Sequence, residues 1–337
     1  LLNADAALLP LIDAYMWPYA LGFPLLLGMM GINGVLRGQG AAGRSTAILL
    51  VYAAVNWALD PLLIMGGFGI PALGLAGAAY AAVAAWAVSL AAAFVLMQTS
   101  GIPFRPRALR RCEWRSGLAA LGRVAAPAAL ANAISPFGLA VLTALIAAEG
   151  QAAVAGFGAG GRLQTFAVVP LLGLSSAIGP VVGQNWGAGE TGRARTALVQ
   201  AGLFCVGYGL AAALVLYAGR GWFAAQFGDD AAVAEATARY LSIAVWGYPG
   251  YGAMIVATGA FNAIDRAVTA LALTVGRVLL VMVPVALLLR PALAADAIYG
   301  AELAANVAGG LAAAALAAFI LRGRGKPDVS APAIQGA

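Results

Sequence analysis

Asn56 and Asp60 lie four residues apart at the head of the stretch NWALDPLLIMGGFGIPALGLAGAAYA, residues 56–81. On a helix that spacing sets an amide and a carboxylate on one face. The segment around them is apolar, and a carboxylate at membrane depth costs on the order of 3 kcal/mol on insertion scales. A group kept there at that cost marks a functional site by default, one that holds a proton or a hard cation in one state and releases it in another. H⁺ and Na⁺ both qualify as occupants of Asp60. Pro61 removes a backbone hydrogen bond and frees the carbonyl of Trp57 as a further ligand. The plainer alternative makes Asp60 a structural helix-end residue before Pro61 and Asn56 a helix-packing hydrogen bonder.

Other polar residues fall inside apolar runs. Arg277 lies about ten residues into one run and Glu302 about nine into the next, which returns in the opposite direction. The two are expected to pair across that hairpin, as a structural ion pair or as part of a conformational switch. Arg162, in GAGGRLQTF, has no evident acidic partner and is expected to snorkel or to line a water-filled cavity. Tyr251 and Phe137 are candidates to line a cavity for organic cations through cation–π contacts, with core packing as the plainer role. The seven tryptophans fall mostly near the ends of apolar runs, where interfacial anchoring is the default.

Enzyme chemistry finds no support. The chain has no histidine, which removes His-based catalysis and His metal sites, and no nucleophile–base constellation is evident. The two cysteines, Cys112 and Cys205, lie in a basic loop and in an apolar run, too dissimilar in setting for a disulfide or a redox motif. GQNWGAGETG (residues 183–192) has the glycines of a phosphate loop but no Walker lysine and no preceding strand, so ATP hydrolysis is not indicated. No cofactor, no nucleic acid and no obligate protein partner is expected. Small organic solutes and membrane lipids are.

The elements that must position these residues are membrane helices. Of the 337 residues 63% are hydrophobic and 9% charged, against about 25% charged in a soluble domain, and the mean hydropathy is +0.91. About nine apolar runs of spanning length occur, near 14–36, 45–65, 72–98, 118–147, 152–180, 196–219, 234–261, 267–289 and 293–321. Ala, Gly and Leu dominate them, which suits close helix packing and not the alternation of a porin-like barrel. Thirteen basic residues cluster in the loops on one side, among them Arg105, Arg107, Arg110 and Arg111, whereas the other side holds Arg220, Arg290 and Arg239. This bias, and not nucleic-acid binding, accounts for the net charge of +6, and it puts the basic loops and the C-terminus in the cytoplasm, as in a bacterial-type inner membrane. Residues 99–117 read as a basic loop between two halves, and 322–337 as a cytoplasmic tail. The sequence opens on Leu1 without a signal peptide, which together with the odd number of runs suggests further helices upstream.

The halves repeat. At an offset of 225, Asp5, Tyr15, Gly22, Pro24 and Gly34 match Asp230, Tyr240, Gly247, Pro249 and Gly259. Six runs separate the copies, so both share one orientation, related by an axis along the membrane normal. Pro24 and Pro249 are expected to kink corresponding helices.

GVLRGQG (34–40), NWALDPLLI (56–64), GIPALGLAGAAYA (69–81) and GPVVGQNWGAGETGRAR (179–195) together resemble the multidrug and toxic compound extrusion (MATE) transporters. The resemblance implies an all-α, two-lobe helical bundle with about nine of twelve helices present. Residues 1–98 then form a partial N-terminal lobe (helices resembling 4–6), 99–117 the interlobe loop and 118–321 the C-terminal lobe (helices resembling 7–12). It implies a secondary antiporter exporting organic, often cationic, compounds in exchange for H⁺ or Na⁺, with Asn56 and Asp60 at the family's fifth-helix cation site. A polar sixth-helix partner of that site would fall near Ala78, which cannot supply it. In the norfloxacin-extruding branch the acidic groups of the C-terminal lobe would fall at Ser135 and Tyr251, neither acidic here. Two alternatives stay open: a lipid-linked oligosaccharide flippase of the same wider fold, which requires a cationic cavity for which Arg162 and Arg277 are the evident candidates, and a non-transporting membrane fragment.

Overall fold

The structure is a computed structural model that describes residues 9–67, 69–101, 113–227 and 230–322. Among these the chain is helical throughout; an isolated bridge between Gly67 and Ile70 is its one piece of extended pairing. Asp5, most of the basic loop with Cys112, and the tail from residue 323 lie outside the described residues. The chain divides into two compact units, Leu1–Cys112 and Glu113–Ala337.

The first unit holds α1 (Leu9–Gly38), α2 (Ala42–Met65) and α3 (Gly74–Thr99). α3 lies against both others, and α1 and α2 touch each other far less. Small residues permit this: Ala79, Ala81, Ala82, Ala85 and Ala93 of α3 are buried. Gly77 goes furthest, since a Cβ there would stand 2.2 Å from the carbonyl oxygen of Leu63, so only glycine lets α3 meet α2 just past Pro61. The α2–α3 turn needs Gly66 at φ 80°, where a Cβ would also press on the backbone of Ala72. At the other end of α2, Asn33 Nδ2 donates to the Ser45 carbonyl (3.0 Å) and Ser45 Oγ donates to Asn33 Oδ1 (3.1 Å). These buried groups are thus paired, as a low-dielectric interior requires.

The second unit holds α4 (Trp114–Ile146), α5 (Gln151–Gly187), α6 (Thr191–Ala218), the short α7 (Arg220–Ala225), α8 (Ala231–Ile243), α9 (Tyr248–Ala263), α10 (Ala267–Val275), α11 (Val283–Leu293) and α12 (Ala295–Arg322). α4 therefore begins inside the stretch read as an interlobe loop. α9 is the central element, packed on α5, α6 and α12. One core gathers Phe157, Tyr240, Tyr248 and Tyr299; a second gathers Leu171, Met254 and Phe261. Cys205 is buried in α6 and free.

Among the described residues eight helices are long and apolar enough to cross a membrane. The seventh expected run, 234–261, is broken: α8 ends at Ile243, a 3₁₀ turn covers Ala244–Gly247, and α9 follows. Pro249 lacks an N–H and occupies the first turn of α9, a position that tolerates its absence. The matching Pro24 lies inside the single helix α1, so the two copies respond differently to the same residue. Between α10 and α11 the chain runs through a π-helical stretch, Gly276–Met282.

Candidate functional site

In the first unit the sequence-predicted pair is assembled. Asn56 and Asp60 are half-buried on α2, and Asn56 Nδ2 donates to Asp60 Oδ2. Tyr52 precedes them by one turn on the same face and shares a side-chain hydrogen bond with Trp86 of α3. The edge of Trp86 meets Tyr19 of α1 at a centroid distance of 4.7 Å, and Tyr19 stacks on Tyr15 at 5.5 Å. Three helices thus contribute one continuous set of groups: an amide, a carboxylate and four aromatic rings. A carboxylate with one amide donor keeps lone pairs free for a proton or a hard cation. The rings begin at Tyr52, two helical turns from Asp60, and are of the kind that suits an organic cation. Sequence reading missed Tyr52 and Tyr19 in this role. The signal for Tyr52 was available, because 52, 56 and 60 form one i, i+4, i+8 row. Trp86 corrects an expectation: it is 2% exposed and belongs to the core, not to an interfacial belt. Its partners on α1 and α2 hold it there. Trp57, next to Asn56, is 83% exposed.

In the second unit the expected Arg277–Glu302 ion pair does not form. Arg277 Nε donates to Asn306 Oδ1 at 3.0 Å, and its guanidinium lies over the Tyr251 ring at 4.5 Å. Glu302, one turn before Asn306 on α12, instead accepts from Gln164 Nε2 of α5 and from the Tyr240 hydroxyl of α8 at 3.1 Å. Arg277 stands at the start of the π-helical stretch, and its guanidinium meets α12 one turn beyond Glu302, a difference that counting depth along two helices does not resolve. Arg277, Glu302 and Asn306 are all buried. Tyr240 is held in place by Gly160 of α5, where a Cβ would come within 2.1 Å of the ring. Gln164, Tyr240 and Asn306 lay beyond sequence reasoning, since their contacts span up to 138 residues.

The remaining candidates are not drawn into a site. Arg162 is exposed and makes no hydrogen bond or ion pair among the described residues, and Ser135 is half-buried on α4 without a side-chain hydrogen bond. Two basic residues on the less basic side are compensated: Arg239 binds Asp296 through two hydrogen bonds of 2.7 and 2.5 Å, and Arg290 Nε donates to Glu149 at 2.9 Å. Among the described residues no group of His, Cys, Asp and Glu is arranged to hold a metal ion.

Long apolar helices, with paired polar residues embedded among them, define a polytopic α-helical integral membrane protein. Residues 127–288 match the MatE family model. An FAD transporter of Shewanella oneidensis is 34% identical over 292 residues, covering 86% of this chain and 64% of the relative. A probable multidrug resistance protein NorM of Deinococcus radiodurans is 36% identical over 219 residues, covering 61% and 44%. The crystal structure of a mutant of the Vibrio cholerae MATE transporter VcmN superposes with a TM-score of 0.88 at 25% identity, covering 95% of this chain and 72% of that one. The chain belongs to the MATE family. It spans less than two thirds of the length of these two sequence relatives.

Proposed function

We propose that this protein is a secondary antiporter, moving an organic solute out of the cell while H⁺ or Na⁺ moves in, with Asp60 and Asn56 as the cation site. The observation that carries this reading is the half-buried Asn56–Asp60 hydrogen bond within a largely apolar helix, on the same helical row as Tyr52. The cation biases the equilibrium between states only through its differential affinity for them, and a carboxylate that is open in one state and closed in the other supplies that difference. In this reading the basic loops and the C-terminus face the cytoplasm of a bacterial-type inner membrane.

The cargo has two readings, each with its own support. The rings of Tyr52 and Tyr19, two turns along α2 from Asp60 and on the neighbouring α1, favour an organic cation. The 34% identity to a protein named an FAD transporter favours a dinucleotide-like, anionic cargo. A lipid-linked flippase needs a cationic cavity. Arg277 is already engaged by Asn306 and Tyr251, which leaves Arg162 as the exposed candidate and weakens that alternative.

The test is transport in proteoliposomes under separately imposed pH and sodium gradients, with an aromatic organic cation and FAD as parallel cargoes. One gradient drives at least one cargo in the natural protein, and Asp60→Asn loses that dependence. Gradient-driven transport of undiminished rate in Asp60→Asn removes the carboxylate from the mechanism.

A further inference from the structure

The second unit contains a carboxylate that the cation site above does not use. Glu302 is 6% exposed, and both of its oxygens are occupied by neutral donors, Gln164 Nε2 and the Tyr240 hydroxyl. The buried cation nearest in sequence on the facing helix, Arg277, is directed one turn further along α12, to Asn306. Beside Arg277 the arrangement is incomplete. Asn306 is fully buried, yet its Nδ2 donor has no acceptor, and Arg277 bonds through Nε alone among the described residues. Glu302 and Asn306 are four residues apart on one helix, so their side chains are neighbours on a single face. Unused donors therefore stand one turn from a carboxylate held elsewhere by neutral groups. A buried donor without an acceptor is costly, which is a reason for a second arrangement to exist.

We propose that Glu302 is a second proton-binding site of this protein, neutral in its present seat between Gln164 and Tyr240, and ionised when it turns toward Arg277 and Asn306. In the neutral state the acid O–H donates to the Tyr240 oxygen, or to Gln164 Oε1 with the amide turned over. On losing the proton, the carboxylate accepts from Asn306 Nδ2 and the free guanidinium nitrogens, and the negative and positive charges come together. The groups that face Glu302 are Gln164 from α5, Tyr240 from α8, Tyr248 from α9, Arg277 from the π-helical stretch, and Tyr299 and Asn306 from its own helix. None of these except Arg277 carries a charge at neutral pH. The Arg239–Asp296 pair is on the exposed end of α8 and α12 and is satisfied there. Two features let the seat change. Arg277 lies in a π-helical turn, a geometry that recurs at functional sites, and Tyr240 and Tyr248 flank the break between α8 and α9. Hard-cation binding fits less well, because Glu302 already receives two donors and the remaining buried neighbours do not complete an oxygen cage.

The experiment is infrared difference spectroscopy of the purified protein over a pH titration, read in the carbonyl-stretch region of protonated carboxylic acids and repeated in D₂O. A component of the acid band that titrates apart from the exposed carboxylates is expected in the natural protein and in Asp60→Asn, and that component is expected to be lost in Glu302→Gln, which mimics the neutral acid. Glu302→Asp keeps a titratable group and guards against a fold lost in the amide variant: its band is expected to shift in position. A separate component unchanged in Glu302→Gln or Glu302→Asp overturns the proposal, as does a natural protein in which no component titrates apart from the exposed carboxylates. Because the readout does not involve transport, failure of the Asp60 reading leaves this result untouched, and the reverse also holds.

Discussion

Asp60 and Glu302 are both carboxylates placed within apolar helices, and their surroundings differ at every level. Asp60 is half-buried and bonded to an amide of its own helix, four residues away. Glu302 is buried and bonded to α5 and α8, with partners 138 and 62 residues distant. The first arrangement leaves lone pairs accessible, which an exchanging cation requires. The second encloses the group, and any change of charge there must be answered by neighbours that move. A membrane bundle can therefore carry one carboxylate as a port and another as an internal element, and burial with partner identity distinguishes them where residue type does not.

The largest effect on this contrast is expected from Gly160→Ala. The new methyl would meet the Tyr240 ring, force it from Glu302 and destabilise the second unit by about 1–3 kcal/mol, occasionally more. A lowered midpoint in detergent unfolding checks this, and an unchanged midpoint would show that Tyr240 has room to shift. Tyr240→Phe removes one donor from Glu302 and should cost about 1–2 kcal/mol in the same assay. Asn56→Ala strips the amide from Asp60 and should weaken the dependence of transport on its driving cation several-fold, with the unfolding midpoint nearly unchanged. That separates a port from a packing contact; a loss of stability without a change in cation dependence would make Asn56 a helix-packing residue. Smallest is Arg239→Gln, whose exposed ion pair should leave both midpoint and transport where they were.

How much of this was legible in the sequence follows from the range of each interaction. Asn56 and Asp60 could be read together because an i, i+4 contact is fixed by helical pitch alone. Apolar runs of spanning length gave the helices, since their boundaries depend on composition. The break at 244–247 was not legible. Its proline has a counterpart at Pro24 in an unbroken helix, and what distinguishes the two is tertiary. Gly247 and Gly250 lie directly against α12, where a Cβ on Gly250 would stand 2.3 Å from the Asn306 carbonyl oxygen. The partner of Arg277 was misread because a depth count places a residue only to within a turn of the facing helix, and Glu302 and Asn306 are one turn apart on α12. Gln164 is an unremarked polar residue until α5 and α12 are brought together.

The central claim, that Asp60 ties solute export to cation entry, is tested most directly by recording the cation itself. Proteoliposomes with an internal pH or sodium indicator, at zero imposed ion gradient, are given solute on one side. The account predicts a solute-dependent cation flux in the opposite direction for the natural protein, and none above the protein-free leak for Asp60→Asn. A solute-driven cation flux of equal size in Asp60→Asn would contradict it.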